Sequence, residues 1–387
     1  MIQVPTSSDI YDVLIIGAGP AGAACALRLA NSGLRVGVID KSIFPRDKIC
    51  GDGIPGRAIS VIRSISKTIA EELEQFSKMN YIARTGFFIN QYPEIEVRWK
   101  NDAYTCPRLI FDNKLVEFVK RDTNTKFIEG VKIDSIERKG ENIIVGNKKN
   151  DQYFETRLLI GADGAQSVVS RYLTNNKLSR EDYCVAVRAY FENVKGIESD
   201  KTEVYMSKKH FPGYFWIFPL SDGKVNAGFG MLSSVISKNQ INLKNALHEF
   251  IDESPLLTKR FINSQQVGET ESYGLPFGSR RIEIVGDNFM NIGDAASLID
   301  PVSGDGIGNA MLSGKLAAEK AIESYEENNF KSSFLAGYEE QLYSRIGKEL
   351  KRRTRALRIG TKYSMALNIV GQTFQIPLIK KIAHWAL

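Results

Sequence analysis

Residues 11–22, YDVLIIGAGPAG, indicate the fold of this chain most clearly. A short apolar run ends at Ile16 and leads into GAGPAG, which has the G-x-G-x-x-G spacing. In that spacing the first glycine permits a tight turn, the second lets the backbone approach a pyrophosphate, and the third allows close packing of a helix. The pattern predicts a strand, a glycine turn and a helix. The candidate nucleotide contacts in this turn are Gly17, Gly19, Pro20, Ala21 and Gly22.

The residues after this turn complete a βαβ unit. Residues 20–32 have a helical pattern, and residues 34–39 form a second apolar run. Asp40 follows that run and places a carboxylate where the hydroxyls of an adenosine ribose would lie, with Lys41 beside it. The helix N-terminus offers backbone donors to phosphate groups. We therefore expect a bound dinucleotide, which leaves NAD and FAD open.

The composition is that of an ordinary globular protein. The chain has 387 residues, of which 43% are hydrophobic and 25% charged, which suggests two or three domains and excludes a disordered or fibrous class. The sequence contains no apolar run of about 18 residues, so no membrane-spanning helix is predicted. Neither a basic region nor a cleavage site marks the N-terminus for export, so a cytoplasmic protein is expected. The four cysteines lack C-x-x-C spacing, so no zinc or other metal site and no disulfide framework is predicted.

The hydrophobic pattern changes along the chain and indicates an inserted second domain. From residue 182 to 272 it becomes mainly alternating, as expected for an antiparallel sheet with one packed face, and includes one helix near residues 243–252. Three short strands are expected between residues 126 and 160. The predicted fold is α/β: a Rossmann-like nucleotide-binding domain, an inserted antiparallel β-sheet substrate domain and a C-terminal helical segment. These three parts are expected at 1–77, 101–175 and 273–345; at 78–100 and 176–272; and at 346–387.

An aromatic stretch, YFWIFPLSDGKVNAGFG, occupies residues 214–230 of the inserted domain. On a strand, Tyr214, Trp216 and Phe218 share one face, while Phe215 and Ile217 share the other. The rings could line a binding slot or pack as core, and both can hold because the two faces differ.

The turn in this stretch predicts how its two arms pair. If residues 221–223 form a three-residue hairpin loop with a left-handed glycine at its end, Trp216 opposes Gly228 and Tyr214 opposes Gly230. Large rings that face bare backbone leave a slot suited to a long apolar ligand.

Two later motifs resemble known nucleotide fingerprints. IGADGAQSV at residues 160–168 and IGDAAS at 292–297 resemble the second and third fingerprints of the glutathione-reductase-type flavoproteins of the p-hydroxybenzoate-hydroxylase class. The resemblance implies FAD as the cofactor. It also implies cofactor contacts by Asp163 and Gly164, by Asp294 at the ribityl and pyrophosphate region, and by Arg108 along the flavin.

A physical argument supports the same cofactor. The loop PVSGDGI at residues 301–307 runs directly into a long helix, so backbone donors and the helix dipole converge on one point. Donors from Gly306 and Ile307, beside Gly304, would stabilise the anionic reduced flavin near N1 and O2. In isolation, the loop could equally be a helix cap without a ligand.

Two further motifs resemble those of the geranylgeranyl reductase family. They are Y-x-W-x-F-P followed by eight residues and G-x-G at 214–230, and FPRDKICGDG at 44–53. The likeness runs from about residue 12 to about residue 318. It implies saturation of double bonds in a polyprenyl chain on a lipid, diphosphate or quinone, by hydride from reduced flavin N5 and a proton. It places Cys50 and Gly51 beside the flavin, and implies substrate contacts by Tyr214, Trp216, Phe218, Gly228 and Gly230.

The resemblance leaves the proton donor open. Cys50 could donate or relay the proton, or only shape the pocket; Tyr205, Tyr214 and Tyr273 are other candidates. The wall containing Tyr214 and Trp216 could exclude water and contact cation-like character at the alkene carbon. CGDG, where CGGG is frequent in the family, adds a carboxylate, Asp52, near the expected site.

A histidine near the aromatic strand and the external electron donor complete the expected site. His210 lies on an expected loop, where a solvated histidine is the simplest interpretation. The sequence has no fingerprint for a second bound dinucleotide besides FAD, so the electron donor stays open: either NAD(P)H or a ferredoxin could supply electrons.

Other functions remain open on the same fold. In a flavin monooxygenase or halogenase, reduced flavin reacts with oxygen; the W-x-W-x-I-P motif of halogenases is absent. In an FAD-bearing electron carrier that is not itself an enzyme, side chains should fill the aromatic slot.

The basic character of the chain is concentrated at its C-terminus. Residues 351–387 contain eight Lys/Arg and no Asp/Glu, with apolar residues at helical spacing. The predicted helices either dock on the protein or bind an anionic membrane surface from the cytoplasmic side. Nucleic acid is not expected, because no recognised binding motif accompanies the charge.

Overall fold

The computed structural model describes residues 10–90 and 92–362. The strands are β1 (Ile10–Ile16), β2 (Val36–Ile39), β3 (Gly53–Ile54), β4 (Asn80–Ile89), β5 (Ile95–Thr105), β6 (Lys126–Ile128), β7 (Ser135–Lys139), β8 (Asn142–Asn147), β9 (Gln152–Gly161), β10 (Tyr183–Glu192), β11 (Lys201–Met206), β12 (Tyr214–Pro219), β13 (Val225–Leu232), β14 (Gln265–Pro276), β15 (Val285–Gly286) and β16 (Phe289–Asn291). The helices are α1 (Pro20–Leu29), α2 (Gly56–Ile65), α3 (Lys67–Glu74), α4 (Arg108–Asp122), α5 (Val168–Leu173), α6 (Ser233–Asn239), α7 (Leu243–Glu253), α8 (Pro255–Phe261), α9 (Ile307–Glu326) and α10 (Ser332–Lys362).

The first sheet contains the predicted βαβ unit. Its order is β15-β16-β9-β1-β2-β6, with β8 paired to β9 and β7 paired to β8. The strands from β16 to β6 are parallel, and α1 connects β1 to β2. Four strands rather than three lie between residues 126 and 160, because a tight turn at Gly140 splits one stretch into the hairpin β7–β8.

Helices α1 and α9 pack closely on the first sheet. A Cβ atom at Gly314 of α9 would lie 2.2 Å from the carbonyl oxygen of Ala21, so only glycine permits this approach. The contact holds the start of α1 against α9, and both helices begin at loops of the expected cofactor site.

The second sheet has the order β14-β10-β13-β12-β11-β4-β5-β3. Its pairs are antiparallel except β11 with β4, which is parallel because β4 and β5 come from an earlier part of the chain. Strands β5 and β14 run a few residues past the limits predicted at 100 and 272, and the domain division itself stays a prediction. Three helices follow β13 where one was predicted; α6 and α8 have only seven residues each, too few for a clear periodicity.

The hairpin β12–β13 has the predicted register. Leu220 N donates to the oxygen of Lys224 across the loop, and Gly223 has φ of 83°. Trp216 pairs with Gly228, and Tyr214 pairs with Gly230. On the opposite face, Phe215 and Ile217 pack into the core with helix α7, where Phe215 stacks on Phe250. One face of β12 is therefore core, which leaves the other face for the site.

Helix α10 joins the main core along one face. Its buried residues include Leu335, Tyr338, Leu342, Ile346 and Leu350, and the boundary predicted at 346 falls inside it. Of the apolar positions predicted at helical spacing in the tail, Ile359 is described and exposed. The others lie outside the described residues: Tyr363, Ala366, Val370, Leu378, Ile382 and Trp385. Among the helices that the structure describes, none has the length and apolar character needed to cross a membrane.

Candidate active site

A cavity of about 1200 Å³ is lined both by strands of the second sheet and by loops that follow strands of the first. Helix α10 contributes part of its wall. The predicted site residues that line this cavity are Pro20, Cys50, Gly51, Arg108, Tyr214, Trp216, Phe218, Gly230, Asp294, Gly304, Gly306 and Ile307. The cavity therefore joins the expected flavin site to the expected substrate wall.

The glycine turn fits a nucleotide. A Cβ atom at Gly17 would lie 2.3 Å from the oxygen of Ala162, and one at Gly22 would lie 1.9 Å from the oxygen of Gly17, so packing requires both glycines. At Gly19 the nearest atom would be Nη2 of Arg46, 3.7 Å away, so this backbone is open on that side. The turn can thus approach a pyrophosphate, with the guanidinium of Arg46 close by. Sequence reasoning did not single out this arginine.

Asp40 is held at the end of β2. Its Oδ2 accepts a hydrogen bond of 2.8 Å from the amide of Ala18, and its Oδ1 accepts one of 2.8 Å from the amide of Ser42. Carboxylate oxygens can each accept a further hydrogen bond, so a contact to a ribose hydroxyl stays a prediction. Lys41 is exposed.

Asp163 has a structural role at the start of α5. Its Oδ2 accepts hydrogen bonds from the amides of Val168 at 2.6 Å and Val169 at 3.2 Å. The next residue, Gly164, has φ of 79°, and a Cβ atom there would lie 3.5 Å from the hydroxyl of Tyr273, which lines the cavity. Direct contact of Asp163 with the cofactor remains a prediction.

Asp294 forms an ion pair with a residue that sequence reasoning missed. Its Oδ2 lies 3.0 Å from Nζ of Lys48, and that ammonium lies 5.0 Å from the ring centroid of Tyr273. Burial alone would lower the pKa of Lys48, but Asp294, Tyr273 and Cys50 together outweigh it, so the pKa is raised. The lysine within FPRDKICGDG was the available signal. The pair places the Lys48 ammonium on the cavity wall beside the expected flavin, with its charge balanced by Asp294.

The loop before α9 is ordered by its own carboxylates. Asp300 Oδ1 accepts hydrogen bonds of 2.9 Å from the amides of Val302 and Ser303. Asp305 Oδ1 accepts one of 3.2 Å from the amide of Ile307, a donor predicted to face the flavin. Burial, with the neighbouring Asp300, raises the pKa of Asp305 to about 6. An anion bound at this helix start would compete with the Asp305 carboxylate for the amide.

These observations fit FAD. The open backbone at Gly19 suits a pyrophosphate, and the next residue, Pro20, lines the cavity. The start of α9 supplies positive character on the same cavity wall, where the ammonium of Lys48, paired with Asp294, is a further hydrogen-bond donor. Gly306, where the flavin ring is expected, lines this cavity of about 1200 Å³.

Cys50 lies half-buried on the cavity wall. Burial raises the pKa of its thiol, although the nearby cations Arg108 and Lys48 act in the opposite direction. At neutral pH the sulfur is therefore protonated, which is the form that can donate a proton. Arg108 is itself held by Asp112, through hydrogen bonds of 2.6 Å and 2.8 Å.

Asp52 lies near the expected site, between the cavity-lining residues Gly51 and Gly53, but its own side chain does not line the cavity. The side chain is fully buried, and Oδ2 accepts hydrogen bonds of 2.8 Å from the hydroxyl of Tyr190 and from Nδ2 of Asn226. Its Oδ1 accepts one of 3.2 Å from the amide of Arg108. Burial raises the pKa of Asp52 to about 6.

Asn226 connects this buried carboxylate to the aromatic wall. Its Nδ2 also donates 2.8 Å to the oxygen of Cys50, and its Oδ1 accepts 3.0 Å from Nε1 of Trp216. The carboxylate of Asp52 and the carbonyl oxygen of Cys50 are acceptors, so both must bond the amide nitrogen of Asn226. The amide oxygen is then left for the indole N–H of Trp216, which can only donate. Sequence reasoning missed Asn226, although strand alternation places it on the same face as Gly228.

The substrate wall has its slot at one glycine of the predicted pair. A Cβ atom at Gly228 would lie 2.0 Å from the ring of Trp216, so the indole occupies that space and Gly228 does not line the cavity. At Gly230 the nearest atom to an added Cβ would be that of Ala186 at 3.5 Å, and this glycine does line the cavity. The slot is therefore the part of the cavity that reaches Gly230, where the nearest side chains would be at ordinary contact distance from an added Cβ atom.

Two other candidates lie away from the cavity. Tyr205 donates a hydrogen bond of 2.5 Å to Glu203, so it is not positioned as a proton donor. The expectation of a solvated His210 is wrong: its ring is 7% exposed and packs against Phe229 and Phe250. Burial lowers the pKa of this histidine.

Comparison with known proteins identifies relatives over most of the chain. Residues 10–346 match the FAD binding domain family. Menaquinone reductase of Mycobacterium tuberculosis is 32% identical over 80% of this chain and 76% of that protein. Digeranylgeranylglycerophospholipid reductase of Methanococcus vannielii is 30% identical over 89% of this chain and 86% of that protein. A brominase of Pseudoalteromonas luteoviolacea acting on 1H-pyrrole-2-carbonyl-[peptidyl-carrier protein] is 28% identical over 84% and 80%.

Solved structures share the fold. A geranylgeranyl bacteriochlorophyll reductase-like protein from Thermoplasma acidophilum superposes with a TM-score of 0.82 at 24% identity, over 94% of this chain and 91% of that one. A flavin-dependent brominase gives a TM-score of 0.79 at 24% identity, over 97% and 92%. The chain belongs to the FAD binding domain family and, within it, to the geranylgeranyl reductase family of FAD-dependent oxidoreductases.

Proposed function

We propose that this protein is an FAD-dependent reductase that saturates carbon–carbon double bonds in a polyprenyl chain. The observation that carries the proposal is the single cavity that extends from Gly306 to Tyr214, Trp216 and Gly230. A long apolar chain in the slot at Gly230 would share that cavity with the flavin ring. The relatives named menaquinone reductase and digeranylgeranylglycerophospholipid reductase support this proposal, because their named substrates share a prenyl chain and differ in the head group.

The residues of the cavity divide the chemistry. When bound and reduced by the external electron donor, FAD would supply a hydride to one alkene carbon. Because no carbonyl polarises the double bond, a proton must be delivered to the other carbon. The Cys50 thiol, protonated at neutral pH, is the group we propose to deliver the proton to the other carbon. Trp216 and Phe218 exclude water and offer ring faces to positive character at the alkene carbon.

A flavin-dependent monooxygenase or halogenase is the second candidate. The brominase relative and the brominase structure favour it. Against it stands the aromatic strand itself, which reads Y-x-W-x-F-P rather than W-x-W-x-I-P. An electron carrier without a substrate is not supported, since its slot would be filled.

The external electron donor is proposed to be NAD(P)H, which would visit the cavity transiently, or a ferredoxin. We also propose peripheral contact with an anionic membrane on the cytoplasmic side. The described part of α10 exposes a run of basic side chains that continues the charge of the tail: Arg345, Lys348, Lys351, Arg352, Arg355, Arg358 and Lys362.

A product analysis tests the function. Holoenzyme reduced with dithionite is incubated without oxygen with a geranylgeranyl phospholipid, geranylgeranyl diphosphate and menaquinone, and the products are analysed by mass spectrometry. The expected result is a gain of two hydrogen atoms per reduced bond in at least one substrate. A parallel incubation with oxygen and bromide serves as the control for the second candidate. The absence of any saturated prenyl product would overturn the proposal.

A further inference from the structure

The cavity has a second polar feature, which we term the paired-charge corner: Arg57, Asp300, Asn309, Glu349 and Arg353. These residues come from α2, the loop before α9, α9 itself and α10, so no local motif predicts the corner. All five line the same cavity as the aromatic wall.

One carboxylate bridges the two arginines of the corner. Glu349 Oε2 lies 2.7 Å from Nη2 of Arg57, and Glu349 Oε1 lies 3.0 Å from Nη2 of Arg353. Arg57 also donates 2.5 Å to Oδ1 of Asn309, and Arg353 Nε lies 3.0 Å from Oδ2 of Asp300. Two guanidinium groups thus face two carboxylates, and the corner carries no net charge.

The other cations on the cavity wall are also neutralised. Lys48 pairs with Asp294, and Arg108 pairs with Asp112. Arg188 pairs with both Asp47 and Glu271. The remaining basic residue of the described lining, Lys100, is an exposed side chain. A substrate phosphate held by these side chains would therefore have to compete with a carboxylate for its cation.

We propose that Glu349 is a specificity residue: by neutralising Arg57 and Arg353, it makes the corner a subsite for an uncharged, hydrogen-bonding head group and excludes a diphosphate. This inference rests on the reductase function proposed above. A buried anion without a free cation is costly, whereas arginine donors not used in the pairs can bond the carbonyl oxygens of a quinone. The head group that suits the subsite is that of a prenylquinone.

Glu349 bridges Arg57 and Arg353, so it is the residue of the paired-charge corner whose charge matters most for the head group. Burial alone would raise the pKa of Glu349, but the ion pairs with Arg57 and Arg353 outweigh burial and lower it. The carboxylate therefore stays ionised at neutral pH. Replacing it with glutamine removes one negative charge while keeping a hydrogen-bond acceptor of the same shape. The corner would then carry a net positive charge directed at the bound head group.

Binding to the oxidised holoenzyme tests the inference without turnover. The probes are geranylgeranyl diphosphate and a quinone carrying the same prenyl chain, measured by calorimetry with wild type, E349Q and the control E340Q, an exposed change on the same helix. Wild type and E340Q should bind the quinone at least about tenfold more tightly than the diphosphate. E349Q should gain about tenfold or more in diphosphate affinity and change little for the quinone.

A second measurement does not depend on the folding of a variant. Inorganic pyrophosphate should fail to compete with the quinone on wild type. Effective competition, equal wild-type affinity for both prenyl probes, or unchanged diphosphate affinity in folded, FAD-loaded E349Q would each overturn the head-group inference. Those results leave the reductase proposal standing if the product analysis above finds any of its three prenyl substrates reduced, whereas reduction of none of them would overturn the reductase proposal itself.

Discussion

The phenolic hydroxyl of Tyr214 donates a hydrogen bond of 2.5 Å to the carbonyl oxygen of Ser303. This bond joins the aromatic wall to the loop that leads into α9, so the substrate side and the flavin side of the cavity are tied at one point. The same hydroxyl lies 3.0 Å from the position of a Cβ atom at Gly304. Burial raises the pKa of Tyr214, which keeps its proton in that bond.

Replacing Tyr214 with Phe should loosen this tie. We expect the free energy of unfolding to fall by about 1 kcal/mol, which is the usual net value of one such hydrogen bond. The hydroxyl proton of Tyr214 is engaged with Ser303, so the substitution removes a positioning contact rather than a proton donor. KM for the prenyl substrate should therefore rise several-fold, with a smaller change in kcat. Urea unfolding and steady-state kinetics measure both. A loss of kcat beyond about a hundredfold with unchanged KM would instead identify Tyr214 as the proton donor.

Replacing Cys50 with Ala should lower kcat by about a hundredfold or more, which is typical for loss of a general acid, and should leave FAD binding intact. Since burial raises the pKa of the thiol, wild-type kcat should hold a plateau through neutral pH and fall only at alkaline pH, as the thiol ionises. C50S should retain more activity than C50A. A fully active C50A enzyme would reduce Cys50 to a packing residue.

The buried Asp52 predicts a pH dependence of stability. Burial raises its pKa from 3.8 to about 6 in the folded protein, so between those values the native state binds more protons than the unfolded chain. Stability should therefore fall as pH rises from about 4 to about 6, and D52N should remove this component. Urea unfolding of both proteins across that range measures the difference. Parallel curves would mean that Asp52 does not titrate as its burial requires.

The two glycines opposite the aromatic strand should respond differently to alanine. At Gly228 the added methyl meets the Trp216 ring at 2.0 Å, so G228A should cost about 1–3 kcal/mol of stability through overpacking. At Gly230 the nearest contact is an ordinary 3.5 Å, so G230A should fold normally and raise KM for the prenyl chain by narrowing the slot. Thermal unfolding and kinetics on the matched pair test this. Equal effects of both changes on stability would contradict the placement of the slot.

Local spacing was enough to predict the strand, turn and helix elements at which the cofactor is expected. The turn GAGPAG, the strands around it and the start of α9 depend on residues adjacent in sequence, so their pattern carries the geometry. The register of β12 with β13 followed from loop length and a left-handed Gly223, which fix the pairing.

Contacts between distant segments could not be predicted in this way. The bonds of Asn226 to Asp52 and Cys50 span more than 170 residues, and the ion pair of Arg57 with Glu349 spans 292. Such contacts exist only after the two sheets and α10 have packed. The burial of His210 was missed for the same reason, because the ring of Phe250 that covers it comes from α7.

Anaerobic single-turnover absorbance spectroscopy of the reduced holoenzyme, with product analysis on the same samples, measures whether the cavity delivers hydride to a prenyl double bond. We predict that the prenyl substrate alone restores the oxidised flavin spectrum, with one double bond saturated for each flavin oxidised. A flavin that stays reduced until oxygen is admitted, and then yields a hydroxylated or halogenated product, would contradict the reductase function.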